Sequence, residues 1–296
     1  GPKATPALAD GRIFTLGIGG RLSAYDAASG RPLWRKDFSE QYRDASPLYG
    51  AATSPLVERG LAIAWVGGDG EGALTAFDAA TGAVRWAWKG DGPGYASPVV
   101  AELDGVRQVV TQSQRNLLGV SVDKGELLWK IPFTTEYAQN SVSPVITGDR
   151  VAYSGIGHPW KAVRPFRQGA VWKVEPAWGN SEVTSYMSTP VFVGGRLCGL
   201  SARKKGQIFC LDAATGRTLW MSEGRAGDNA AVLAGGGVLF VLNTDGELVV
   251  APPGGSAFAP VAQYTVATSA TWAHPVVLPE GVLVKDVDSL AFWRWE

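Results

Sequence analysis

GQIFCLDAATGRTLW, from Gly206 to Trp220, reads as a strand, a tight corner and a second strand. Ile208, Cys210 and Leu219 with Trp220 are apolar; Asp212, Thr215 and Gly216 make the corner. An Asp side chain accepts backbone amides across a turn, and Gly takes positive φ without steric cost. The same phrase recurs along the chain. Leu22 to Trp34 reads LSAYDAASGRPLW, and Leu74 to Trp86 reads LTAFDAATGAVRW. Leu118 to Trp129 reads LGVSVDKGELLW, with its Asp-to-Trp interval two residues shorter. A repeat of this kind decides the fold before any single residue does.

A second landmark precedes each corner: a small or polar residue, Pro, then an apolar pair. It stands at Thr5-Pro6, Ser54-Pro55, Ser97-Pro98, Ser143-Pro144, Thr189-Pro190 and His274-Pro275. The Pro spacings are 49, 43, 46, 46 and 85 residues. The last is nearly double, and Asn229-Ala230-Ala231-Val232 fills the gap with Ala231 in the Pro slot. A period of about 40–50 residues is that of a four-stranded propeller blade. The reading is therefore all-β: a β-propeller of four-stranded antiparallel blades, about seven in this chain. Residues 1–296 are read as a single propeller domain, with repeats near 4–38, 52–89, 95–133, 141–178, 186–223, 228–266 and 272–296.

Two repeats depart from the pattern. The fourth has no Asp-x-x-Thr-Gly corner; its middle holds His158-Pro159-Trp160-Lys161, and Trp172 and Trp178 both compete for the docking position. The seventh has room for only three strands. Propellers close by completing one blade with strands from both chain ends, so the fourth strand is expected from sequence ahead of Gly1, with eight blades the larger alternative. The repeats cannot bury two apolar faces each unless they stack side by side, and a recurrent Trp is large enough to bridge adjacent sheets.

Bulk composition agrees. Twelve Trp and 38 Gly in 296 residues, with two Met, suit short strands and tight turns rather than helices. Formal charge is zero, so no nucleic-acid partner is implied. No uncharged apolar run is long enough to span a membrane. Cys198 and Cys210 lie on consecutive strands, symmetric about Lys204. That geometry permits a cross-strand disulfide. The slot of Cys210 is filled by Ala24, Ala76 and Ser121 elsewhere, which favours reading it as a small buried residue instead.

The corner Ala-x-Asp-x-x-Thr/Ser-Gly-x-x-x-Trp, at 24–34, 76–86 and (with Cys in the Ala slot) 210–220, resembles the tryptophan-docking motif of quinoprotein-type propellers. The whole chain is similar to the PQQ-binding-like β-propeller repeat family, BamB-like members included. The resemblance implies docking roles for Asp26, Gly30, Trp34, Asp78, Gly82, Trp86, Asp123, Gly125, Trp129, Asp212, Gly216 and Trp220. It also implies a periplasmic or otherwise extracytoplasmic location. Enzymes of the family hold PQQ and Ca²⁺ on the propeller axis, against a disulfide between adjacent cysteines. This chain has no adjacent Cys pair, and its corner Asp residues are explained by turn geometry.

No other constellation carries chemistry. His158 and His274 lie far apart without ligand spacing, which speaks against zinc. Asp69 and Glu71 lack the spacing of a Ca²⁺ loop, and Arg203-Lys204-Lys205 reads as a solvated hairpin tip. Surface loops remain: 90–95, 133–140, 157–167 and 251–259. His158, Trp160, Lys161, Arg164 and Arg167 combine Trp with Arg, the composition of binding hot spots, and are the candidate partner-binding residues. The expectation is a scaffold without enzymatic activity or cofactor that binds protein partners, as a peripheral subunit of a membrane complex. The alternatives are a PQQ-dependent oxidoreductase-like protein, and a small-ligand or glycan binder using exposed Trp such as Trp88 or Trp160.

Overall fold

The computed structural model describes residues 3–42, 47–69 and 72–295. Among them, strands form six four-stranded sheets and one three-stranded sheet, each in consecutive order. This is a β-propeller of seven blades. The fifth sheet is the simplest: Val191–Val193, Arg196–Ser201, Gln207–Asp212 and Thr218–Met221. The seventh has three strands, Val276–Leu278, Gly281–Lys285 and Leu290–Arg294. Two compact units divide the chain: Gly1–Pro144, Asp149–Val151 and Arg164–Glu175 make the first, and Val145–Gly148, Ala152–Val163 and Pro176–Glu296 the second.

The corner works through hydrogen bonds that the repeat encodes. In the fifth sheet Asp212 Oδ1 accepts from the Thr215 amide at 2.8 Å, the Thr215 hydroxyl at 2.8 Å and the Ala214 amide at 3.1 Å. Asp26 and Asp78 are held the same way by Ser29 and Thr81. These bonds pull all three carboxyls below their ordinary range, the first cause being the Ser29 hydroxyl at Asp26, the Thr81 amide at Asp78 and the Thr215 hydroxyl at Asp212. The corner Gly then turns the chain at φ +72° in Gly30, Gly82 and Gly216.

Trp34, Trp86 and Trp178 each cross to the corner of the next sheet. Trp34 Nε1 donates to the Ala79 carbonyl at 3.0 Å, and a Cβ on Gly82 would sit 2.8 Å from the indole. Trp86 reaches the Val122 carbonyl at 2.8 Å over Gly125. Of the two Trp in the fourth repeat, Trp178 docks: it donates to the Ala213 carbonyl at 2.9 Å over Gly216. Trp220 donates to the Pro253 carbonyl of the sixth repeat at 3.2 Å. Trp129 stays at home and donates to Gln108 of its own sheet at 2.6 Å.

The register corrects the third repeat. Ala24, Ala76, Gly119 and Cys210 each face their Trp directly, and each is followed by a register shift. Gly119 therefore holds the small slot and Ser121 the corner slot; the Gly125 amide returns to the Ser121 carbonyl at 2.9 Å. Asp123 is not the corner acid. It points outward and pairs with Arg59 at 3.1 Å. The corner is thus no shorter than its sisters.

Cys198 stands directly opposite Cys210, as the symmetry about Lys204 requires, and the two are joined in a disulfide. Both are fully buried in the core between the fifth and sixth sheets, with Leu200, Ile208 and Val241. The small slot is real, but here two facing sulfurs fill it. The Ser-Pro landmark is also structural. The Thr5 amide donates to Ser54 Oγ, the Ser54 amide to Ser97 Oγ and the Ser97 amide to Ser143 Oγ, at 2.9, 2.9 and 3.0 Å. One hydroxyl per repeat ties the segments that enter successive sheets together within the first unit.

Candidate interaction surface

The stretch expected as an irregular loop at 157–167 is a strand. His158–Gln168 and Val171–Thr184 form a long hairpin in the fourth sheet. Its candidate residues are mostly occupied within the protein. Trp160 is fully buried and donates to Ser185 Oγ at 3.0 Å, so it presents nothing to a partner. Arg164 pairs with Glu175 across the hairpin at 2.6 Å and lies over the Phe166 ring. Arg167 grips the turn of the third sheet: its amide and Nε donate to Asp104 Oδ2 at 2.9 and 3.2 Å. His158 is half-buried with its carbonyl accepting from Ser154 Oγ. Lys161 is exposed. Trp88, the other candidate aromatic, packs edge-on against Trp65 at 6.1 Å.

The non-consensus loops at 90–95 and 133–140 build a different surface, wholly within the first unit. Asp91, whose side chain has no exposed surface, is its first anchor. Its oxygens accept from Ser113 Oγ at 2.6 Å, Asn116 Nδ2 at 2.7 Å, the Arg115 amide at 3.0 Å and Arg115 Nε at 3.0 Å. Burial pushes the Asp91 carboxyl up; the bonds from Ser113, Asn116 and Arg115 together outweigh it and hold the group below its ordinary value.

Asn140 is the second anchor, and it is fully buried. Its amide nitrogen donates to the carbonyls of Ser113, Phe133 and Gln114, and its Oδ1 accepts from the Thr135 amide at 2.9 Å. Its own carbonyl takes the amides of Tyr95 and Ala96. The loop clamped between Thr135 and Asn140 puts Tyr137 and Ala138 in the left-handed region, at φ +56° and +53°. A bulky residue there is an outlier that the surrounding bonds must enforce. The result is Tyr137 displayed at 79% exposure.

Tyr95, whose amide donates to the Asn140 carbonyl, packs against Tyr49 at 5.9 Å, and Lys3 lies over the Tyr49 ring. Burial raises the Tyr95 phenol, so it stays protonated as it receives the Tyr49 amide at 3.3 Å. Leu48 and the Arg115 side chain are largely exposed. Tyr and Arg on a rigid base are the residues that carry interface energy. Among the described residues, no group of three or more His, Cys, Asp or Glu is placed to hold a metal ion. Glu71 lies outside the described residues.

The chain matches the family described as "Outer membrane protein assembly factor BamB" over residues 1–222 and 161–253. It belongs to that family. The BamB of Shewanella oneidensis is 30% identical over 230 residues, covering 74% of this chain and 56% of that protein. The chain thus spans little more than half the length of this BamB relative. In structure, BamB from Moraxella catarrhalis superimposes with a TM-score of 0.71 at 15% identity, covering 99% of this chain and 85% of that one. A europium-containing methanol dehydrogenase gives 0.68 at 12% identity, covering 95% and 72%. At such identities these two share the fold alone, and one is an enzyme, so the BamB family's propeller scaffold does not settle chemistry.

The loops of Asp91 and Asn140 depart from the repeat in sequence, but neither residue is marked by a motif. The dense glycines of Gly90-Asp91-Gly92-Pro93-Gly94 were the available signal. A Cβ at Gly92 would meet Gln114 at 2.7 Å, and one at Gly94 would press on the Asn140 carbonyl at 3.1 Å. Leu48 and Tyr49 gave no signal.

Proposed function

We propose that this protein is a non-catalytic, extracytoplasmic scaffold that serves outer membrane protein assembly as a peripheral subunit of a membrane complex. Family membership supports the setting. The observation that carries the binding role is Tyr137, held exposed on a left-handed backbone by the buried Asn140. Strain of this kind is retained where display matters. The buried Cys198–Cys210 disulfide supports a periplasmic location, since such bonds form and persist in oxidising compartments. The partner is a protein that seats an apolar or aromatic pocket over Tyr137 and Tyr49, with an acidic group for Arg115.

The test is site-specific photo-crosslinking in intact cell envelopes. A crosslinker at position 137 is expected to trap one defined protein, whereas one at Lys161 is not. Tyr137→Ala with Arg115→Ala is expected to weaken capture about a hundredfold, as loss of two hot-spot side chains does. Equal capture from 137 and 161, or full capture by the double variant with unchanged circular dichroism, rejects the assignment.

A further inference from the structure

The second unit carries a continuous rim of loops at 202–206, 223–228, 243–246, 267–272 and 286–289. They are latched in turn. The Arg225 amide donates to the Lys204 carbonyl at 3.1 Å and the Ala226 amide to the Gly206 carbonyl at 3.0 Å. Asn243 Nδ2 donates to the Ala226 carbonyl at 3.2 Å, the Thr271 amide to the Thr244 carbonyl at 3.2 Å and the Val287 amide to Ser269 Oγ at 3.1 Å. The rim therefore holds its side chains in fixed relation.

A cleft of about 280 Å³ opens on it, lined by Lys205, Arg225, Gly227, Asp228 and Asp245. Two cations and two carboxylates share this small space, yet no ion pair joins either cation to a described residue. Elsewhere arginines do pair, as at Arg107–Glu58 and Arg164–Glu175. Lys204, Lys205 and Arg225 all take left-handed φ, between +52° and +61°, where glycine would be unstrained. Trp272, next to the latched Thr271, stands 64% exposed, and Val287 is equally open. The other charges on the rim are Arg203, Lys204, Glu223, Asp286 and Asp288; Asp286 is engaged with the Ser289 and Asp288 amides of its own turn.

We propose that this rim rests on a lipid bilayer and that the cleft takes a phosphoethanolamine headgroup. Lys205 and Arg225 receive the phosphate as charge-assisted donors. Asp228 and Asp245 receive the primary ammonium. Trp272 settles at headgroup depth, where an indole's apolar body and polar N–H are both satisfied. A purely anionic ligand would meet two carboxylates, and a purely cationic one would meet Lys205 and Arg225. A zwitterion with one phosphate and one N–H-bearing ammonium meets neither repulsion. The proposal uses the membrane setting inferred above, but none of its residues belong to the Tyr137 surface.

The experiment is flotation of the full chain with three kinds of vesicle: phosphatidylcholine alone, phosphatidylcholine with phosphatidylethanolamine, and phosphatidylcholine with phosphatidylglycerol. Choline keeps the phosphate and the positive charge but has no N–H to donate. Binding is expected to be about tenfold tighter with phosphatidylethanolamine than with phosphatidylcholine alone, the worth of the added charge-assisted hydrogen bonds. Lys205→Ala with Arg225→Ala, and separately Asp228→Asn with Asp245→Asn, are each expected to return binding to the phosphatidylcholine level; Trp272→Ala is expected to weaken it with every vesicle. Equal binding to all three vesicles, preference for phosphatidylglycerol that survives the Asp variants, or no flotation overturns the proposal. Crosslinking at position 137 in the same variants separates this outcome from failure of the scaffold reading.

Discussion

Asp91 shows at residue scale how a charge is kept inside a loop surface. Its carboxylate is buried, and four donors from Ser113, Arg115 and Asn116 surround it. Its pKa is lower in the folded protein than in the unfolded chain. The stability it contributes is therefore complete above the unfolded value, near 3.9, and is lost as pH falls through the lower folded value. The protection of the Arg115 and Asn116 amides, each rate taken against intrinsic exchange at the same pH, is expected to fall on acidification below about pH 4. Asp91→Asn should give faster exchange at neutral pH and remove the acid dependence. A wild-type protection profile that stays flat to pH 2 would contradict this account. Asp91 is hard to read from sequence because nothing in GDGPGY repeats: the partners come from a hairpin turn more than twenty positions on. Asp123 misled for the opposite reason. It is an Asp two positions from the true corner slot, and only the register shows Ser121 in that slot.

At the scale of the element, the corner and its Trp are the best-read part of the sequence, since one local phrase specifies turn, small slot and bridge together. Gly82 joins two requirements, positive φ and room for Trp34. Gly82→Ala is expected to cost more than the ~1–2 kcal/mol of left-handed strain alone, because the new methyl also displaces the indole. Gly11, with the same φ but open space, should show the strain only. Chemical denaturation of the two variants measures the difference, and equal losses would mean that the indole moves aside freely.

The fourth repeat was unreadable for a physical reason. Pro159 and Pro165 argue against a strand interior, yet His158–Gln168 is eleven residues long beside the six of Arg150–Gly155. The disulfide belongs to this scale too. Alanine fills the Cys210 slot in two sister sheets, so Cys198→Ala with Cys210→Ala should fold. It is expected to lose about 3 kcal/mol, the constraint of a short closed loop on the unfolded chain. Reductant should lower wild-type stability by the same amount and leave the variant unchanged; no response of the wild type to reductant under denaturing titration would count against the bond.

Across the whole molecule, burial is uneven in a way the repeat count anticipated. Period and spacing made seven repeats legible, including the three strands of the last. They did not show which faces stay open. In the seventh sheet, Val277, Val282, Val284 and Trp293 share the face turned to the sixth, where Val282 and Val284 pack against Phe240 and Leu242. The opposite face carries Val276, Leu278, Leu290 and Phe292, all more than 40% exposed. Contiguous apolar surface of this kind drives association. Because these side chains bury little here, replacing them removes little folding energy, whereas the same change at Val284 would empty a packed position. Leu290→Lys with Phe292→Glu is therefore expected to shift stability by less than about 1 kcal/mol while lowering self-association and dye binding to exposed apolar surface. Val284→Ala should lose about 1–3 kcal/mol and leave association unchanged. Sedimentation velocity beside urea unfolding separates the two effects. If the charged pair unfolds the chain, that face is packed in solution and the sheet is covered on both sides.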